Sequence, residues 1–166
     1  MQAAIDGTHW RPSPDIAALR RRKLRLSGRE LTDIDAIAVK DNRLLIVSCK
    51  SKGLTPQLET ASVSATRNAE SMIDAAYVDA IRLEELLRAT RKGENFDFSA
   101  FDEILVHVCI PYPLFLAADR LLKPVRNGLM RCVSLAELHT WLSLGSVDLD
   151  DPLGHRVSKP VLPPSR

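Results

Sequence analysis

Two short runs rich in aliphatic and β-branched residues, Asp33 to Lys40 (DIDAIAVK) and Arg43 to Lys50 (RLLIVSCK), are separated only by Asp41 and Asn42. Asp and Asn tolerate positive φ, so a two-residue loop of this kind between β runs predicts a tight antiparallel hairpin. Its register puts Lys40 opposite Arg43, Val39 opposite Leu44 and Ile37 opposite Ile46. Continued outward, the same ladder sets Asp35 opposite Ser48 and Asp33 opposite Lys50. Side chains alternate with period two, so these four polar groups share one face with Ile37, Val39, Leu44 and Ile46. The reverse face carries Ile34, Ala36, Ala38, Leu45, Val47 and Cys49. With both faces apolar, the hairpin belongs inside a layered fold, and the polar group lies at the end of a core strand pair.

The rest of the chain supplies the layers. Residues 1–14 read as a loose segment, and IAALRRRKLRL after Pro14 reads as a short helix, or a helix running into a strand. From about Gln57 to Lys92 there is neither Pro nor Gly, and Ile73, Tyr77, Ile81, Leu83, Leu86 and Leu87 recur at helical spacing, with Gly93 as the stop. Asp102 to Ile110 (DEILVHVCI) is a continuous apolar run of strand length, ended by Pro111. A helix over 113–122, a turn at Asn127-Gly128, a strand over 129–133 and a helix opened by the capping box Ser134-Leu-Ala-Glu137 follow. Residues 146–166 hold turn residues and prolines without periodicity and read as a tail. The expectation is one α/β domain over 15–145, a mixed central sheet flanked by helices.

Composition narrows the classes of function. Three cysteines, Cys49, Cys109 and Cys132, in no close spacing argue against a secreted disulfide framework and a zinc ribbon, and point to a reducing cytoplasm. No long apolar stretch is free of breakers, which argues against a membrane span. There is no glycine-rich phosphate loop, and eight aromatic residues give no stacking platform for single strands. His107 sits in the middle of the buried run and reads as a hydrogen-bonded core histidine, while His9, His139 and His155 show no ligand spacing. The charge is uneven: residues 1–30 hold seven basic side chains against three acidic ones. Arg20, Arg21, Arg22 and Lys23 are therefore candidate contacts to a polyanion, joined by Lys52 and Arg67.

Burying Asp33, Asp35 and Lys50 together costs several kcal/mol per uncompensated ion, so they need partners, a metal ion or an opening to water. Paired carboxylates beside a hydroxyl offer hard oxygen ligands for Mg²⁺ or Mn²⁺, and Lys50 can orient a water or hold charge developing at phosphorus. The plain alternative is a cross-strand ion pair between Asp33 and Lys50 near an exposed sheet end.

The segment Glu30 to Lys52, with a strand Asp followed one hairpin later by a triplet ending in Lys50, resembles the PD-(D/E)XK, or restriction-endonuclease-like, nuclease superfamily. The hairpin and its Cys-Lys ending also resemble nuclease domains fused to CRISPR-associated ring-nucleotide sensors. The resemblance implies an αβββαβ core and divalent-metal-dependent cleavage of DNA or RNA. It implies Asp35 as metal ligand, Lys50 as the motif lysine and the Cys49 main-chain carbonyl as a further ligand. Ser48 stands where the superfamily's triplet has its acid. The second carboxylate is then expected from Asp33, or from Glu59 or Glu70 on the following helix. The partners implied are nucleic acid and, as is common among such nucleases, a second copy of the chain. A nuclease-like domain that binds nucleic acid or a protein without cutting is the alternative.

Overall fold

The protein is described by a computed structural model covering residues 1–50, 63–111 and 132–143. In chain order the elements are α1 (Gln2–Asp6), α2 (Pro14–Ala17), β1 (Lys23–Leu26), β2 (Arg29–Asp33), β3 (Ala36–Lys40) and β4 (Arg43–Cys49). They continue with α3 (Val63–Thr90), β5 (Glu103–Ile110), β6 (Cys132–Ser134) and α4 (Leu135–Ser143).

The Asp41-Asn42 turn folds β3 back on β4 in the expected register, from Lys40↔Arg43 to Ala36↔Val47, with Asp41 at φ 52°. β5 then lies parallel to β4 and β6 parallel to β5, giving a four-stranded mixed sheet in the order β3-β4-β5-β6. A parallel neighbour requires a crossover, and α3 lies in that connection. On its face of the sheet α3 buries Ile73, Ala76, Ala80 and Leu87 against Ile37, Leu44, Ile46 and Ile104. On the other face Ile5, Trp10, Trp141 and Leu142 cover Ala38, Leu45, Val47 and Leu105. Helices on both faces of a mixed sheet make this a mixed α/β fold. Among the described residues no helix is long and apolar enough to cross a membrane.

Several local readings are corrected. Residues 1–14 are not loose: Ile5 and Trp10 are buried, and the side-chain amide of Gln2 both donates to the Ile37 carbonyl and accepts from the Ile37 N–H, each at 2.9 Å. Trp10 adds its carbonyl to the Val39 N–H at 2.9 Å, so this segment covers the outer edge of β3. Of the two readings of IAALRRRKLRL, the helix running into a strand is the one found, α2 leading through the arginine turn into β1; β1 then pairs with β2 in a separate hairpin turned by Ser27 and Gly28, with φ of 50° and 75°. The α3 stripe is rotated from the expected one: Ala69, Ile73, Ala76, Ala80, Glu84 and Leu87 are buried, whereas Leu86 is exposed. The helix ends at Thr90, where Arg91 takes φ 55°, and Gly93 serves another purpose. A Cβ at Gly93 would collide with the Phe96 ring and the Arg25 carbonyl, so glycine lets the chain pass close to β1.

The capping box of α4 is formed as expected, Glu137 N–H to Ser134 Oγ at 3.2 Å and Ser134 N–H to Glu137 Oε2 at 2.7 Å. On the edge of β5, Glu84 accepts from the Val106 N–H at 3.1 Å while Arg88 donates to the Ile104 carbonyl at 2.9 Å. The expected helix over 113–122, the turn at Asn127-Gly128 and the tail over 146–166 lie outside the described residues.

Candidate metal and nucleic-acid site

The end of β4 is fixed by its neighbour: Ser48 and Cys49 pair with Val108 and Cys109, and the Lys50 N–H donates to the Cys109 carbonyl at 2.9 Å. The other side of this strand end is different. The antiparallel ladder stops at Ala36, because Ile34 gives its N–H to the Arg22 carbonyl at 3.4 Å and takes the Arg21 N–H on its own carbonyl at 2.8 Å. The chain therefore bends at Asp35, and Ile34 crosses to the α3 side of the core instead of staying with Ala36 and Ala38. Asp35 fills the rung that is lost: its Oδ2 accepts the Cys49 N–H at 2.7 Å.

This bend separates the four groups expected on one face. Ser48 and Lys50 remain together and line a cavity of about 460 Å³ between β2, β4 and α3. Asp35, exposed, joins them through the Cys49 amide and is not part of that lining. Asp33 departs altogether: it is the last residue of β2, opposite Lys23 of β1, so the expected pairing with Lys50 is not made. Thr32 and Leu31 reach the cavity from β2 in its place. From α3 the cavity receives Ala76, Ala80 and Leu83 on its wall, with Asp79, Arg82 and Leu86 alongside, and Val106 comes from β5.

Glu70 lies on α3 six positions before Ala76, roughly 9 Å along the helix axis, and does not line the cavity. Glu59 and Lys52 lie outside the described residues. Arg67 is exposed in the first part of α3. Arg20, Arg21 and Arg22 are exposed in the turn bonded to Ile34, which brings this basic run directly beside the Asp35 bend. Lys23 is occupied, bonded to Glu30 at 2.5 Å; that hydrogen bond holds the lysine pKa above and the glutamate pKa below their ordinary values.

Burial favours the neutral form of the three thiols and of the buried imidazole. Burial, aided by the neighbouring Asp35 carboxylate, pushes the Cys49 thiol up to about 11, so it stays protonated near neutrality. Cys109 and Cys132 are pushed to about 12 by burial. His107 is 3% exposed, its ring edge-on to Trp141 with centroids 5.9 Å apart, and burial lowers its pKa to about 4. The expected hydrogen-bonded core histidine is buried as foreseen, but its Nε2 has no partner among the described residues.

Among the described residues no three His, Cys, Asp or Glu side chains gather as a ready metal cluster. Asp35 and the end of β4 nevertheless offer hard oxygens, and Mg²⁺ is commonly held by one or two carboxylates with water and phosphate completing its shell. The cavity residues Thr32, Asp79 and Arg82 are absent from the sequence-based reading. The signal that points to them is the pair of small residues Ala76 and Ala80, one helical turn apart, which leaves room where larger side chains would close the packing. Comparisons of the chain with protein-family models, with curated proteins and with solved structures find no match.

Proposed function

We propose that the chain is a metal-dependent phosphodiester hydrolase of PD-(D/E)XK type, acting on DNA or RNA, with Ser48 in place of the motif acid. The observation that carries this reading is the 2.7 Å bond from the Cys49 N–H to Asp35, which holds one strand aspartate beside the Ser48-Cys49-Lys50 triplet. The order of hairpin, long helix and parallel β5 suits the restriction-endonuclease-like core. Placement also supports it, since open α/β sheets bind ligands beyond the carboxyl ends of their strands, where Lys50 stands.

Mg²⁺ or Mn²⁺ would be held by Asp35 and the Cys49 carbonyl, which in a strand points to the same side as its N–H, and would supply Lewis-acid polarisation of a phosphoryl oxygen. The chain's own groups do the rest. Lys50 presents an ammonium that orients water and stabilises negative charge as it builds on phosphorus. Ser48 offers a hydroxyl to a phosphate oxygen or to water. Arg20, Arg21 and Arg22 form a basic track for the neighbouring phosphates. Asp33 from the end of β2, or Glu59 or Glu70, would supplement Asp35.

The test is incubation of plasmid and of single-stranded RNA with Mg²⁺ or Mn²⁺. Asp35→Ala and Lys50→Ala should each lower cleavage by at least about 100-fold while the folded far-ultraviolet spectrum is kept. Cutting by both variants at the wild-type rate refutes the assignment. A second reading, a nuclease-like domain that binds without cutting, is favoured by Ser48 and by the structural work Asp35 already does as a replacement rung. It predicts salt-sensitive binding with no metal-stimulated cleavage.

A further inference from the structure

We propose that the cavity between β2, β4 and α3 receives a single unpaired nucleotide, its phosphate at Lys50 and its base against the aliphatic wall, so that the substrate is single-stranded nucleic acid. This deepens the phosphodiesterase reading and rests on it for the neighbouring Asp35.

The cavity's volume, about 460 Å³, falls within the ~300–1,000 Å³ range of small-ligand sites. Its lining is divided. Leu31, Leu83 and Leu86 form apolar walls, and Ala76 and Ala80 leave the gap between them. Lys50 and Arg82 bring positive charge and Asp79 a negative one; Thr32 and Ser48 bring short hydroxyls. Arg82 is paired with Asp79 at 3.9 Å, which leaves the lining one positive charge in excess, at Lys50. An apolar slot with that charge at one end and donors and acceptors along its edge matches a nucleotide, which has a flat base, polar base edges and a phosphate. A base inside a duplex shows proteins only its edges, whereas an unpaired base exposes its faces for contact with apolar side chains. Leu86, 37% exposed, leaves an apolar side chain at the open rim of α3. The Arg20–Arg22 turn beside Ile34 extends the positive surface away from the cavity, along which the adjoining phosphates can run.

The experiment is fluorescence anisotropy in EDTA with a labelled short single-stranded DNA and with a blunt duplex of the same sequence. The single strand should bind about tenfold more tightly, because only an unpaired base can bury a face against the aliphatic wall, whereas a paired one is already stacked in the duplex. Ala80→Leu fills the gap and Leu86→Glu puts a carboxylate at the exposed rim. Each should weaken single-strand binding about tenfold and leave duplex binding unchanged. Equal affinity for duplex and single strand, or wild-type single-strand binding by both variants, overturns the proposal. Because EDTA removes any need for cleavage, such a result leaves the hydrolase reading standing. Conversely, absence of metal-stimulated cutting alongside the expected binding pattern sinks the hydrolase and keeps the pocket.

Discussion

The two hairpins meet at Ile34 and differ in almost every respect. β3-β4 is buried on both faces and turns through Asp41, and its strands are held by Ile37, Leu44, Ile46 and Val47, each no more than 1% exposed. β1-β2 is mostly exposed, turns through Ser27-Gly28, carries a register shift between Leu24 and Arg25, and buries Leu24 alone from its own strands. It is held instead by the loop after α3, through Asn95 bonds to the Arg25 N–H and the Lys23 carbonyl at 2.9 and 2.8 Å. The inner hairpin is a frame built from hydrocarbon; the outer one is a charged arm tied by the Asn95 side chain to the loop after α3. The candidate chemistry lies at their junction, where the frame's ladder ends and the arm's basic turn begins.

Three measurements break or sharpen that contrast. The largest effect is acidification acting on the frame. His107, paired with Val47 across β4 and β5, has its pKa lowered from 6.5 to about 4 by burial, so the unfolded chain binds its proton first. Its contribution is complete above about pH 6.5 and is lost as pH falls toward 4, about 3 kcal/mol in all. Urea unfolding at neutral pH and near pH 4 reads this loss, and His107→Leu should remove that part of the difference. Next is the arm: Gly93→Ala forces a methyl into Phe96 and Arg25, costing about 1–3 kcal/mol and raising hydrogen exchange in β1 before β4. If both strands loosen equally, the hairpins are one cooperative unit. Smallest is Arg22→Ala, which should reduce the slope of log affinity for DNA against log salt by about 1 and leave the melting temperature unchanged.

The frame was legible in the sequence because alternation, a two-residue turn and two apolar faces all demanded one register, and Lys40↔Arg43 through Ala36↔Val47 follow it. The arm was not, although Ser27-Gly28 between KLRL and RELTD is itself a turn signal. The strand after the arginines is one of two readings, but its pairing with Arg29–Asp33 is missed because the second run is mostly polar. The site was half legible. Ser48 and Lys50 follow from the ladder, but extending it past Ala36 assumed that Ile34 would pair with β4, and only the fold reveals that Arg21 and Arg22 claim its backbone. Likewise α3's contact line runs through alanines, since close approach of the helix to the sheet favours small residues that a search for large apolar ones passes over.

One glutamine near the amino end has a reach beyond its size. By presenting to Ile37 the same donor and acceptor that another peptide group would offer, Gln2 ends the lateral growth of the sheet with a side chain. A neighbouring molecule seeking to zip onto this flank finds its docking rung already taken, so the chain carries its own stopper against fibrous stacking on the β3 side.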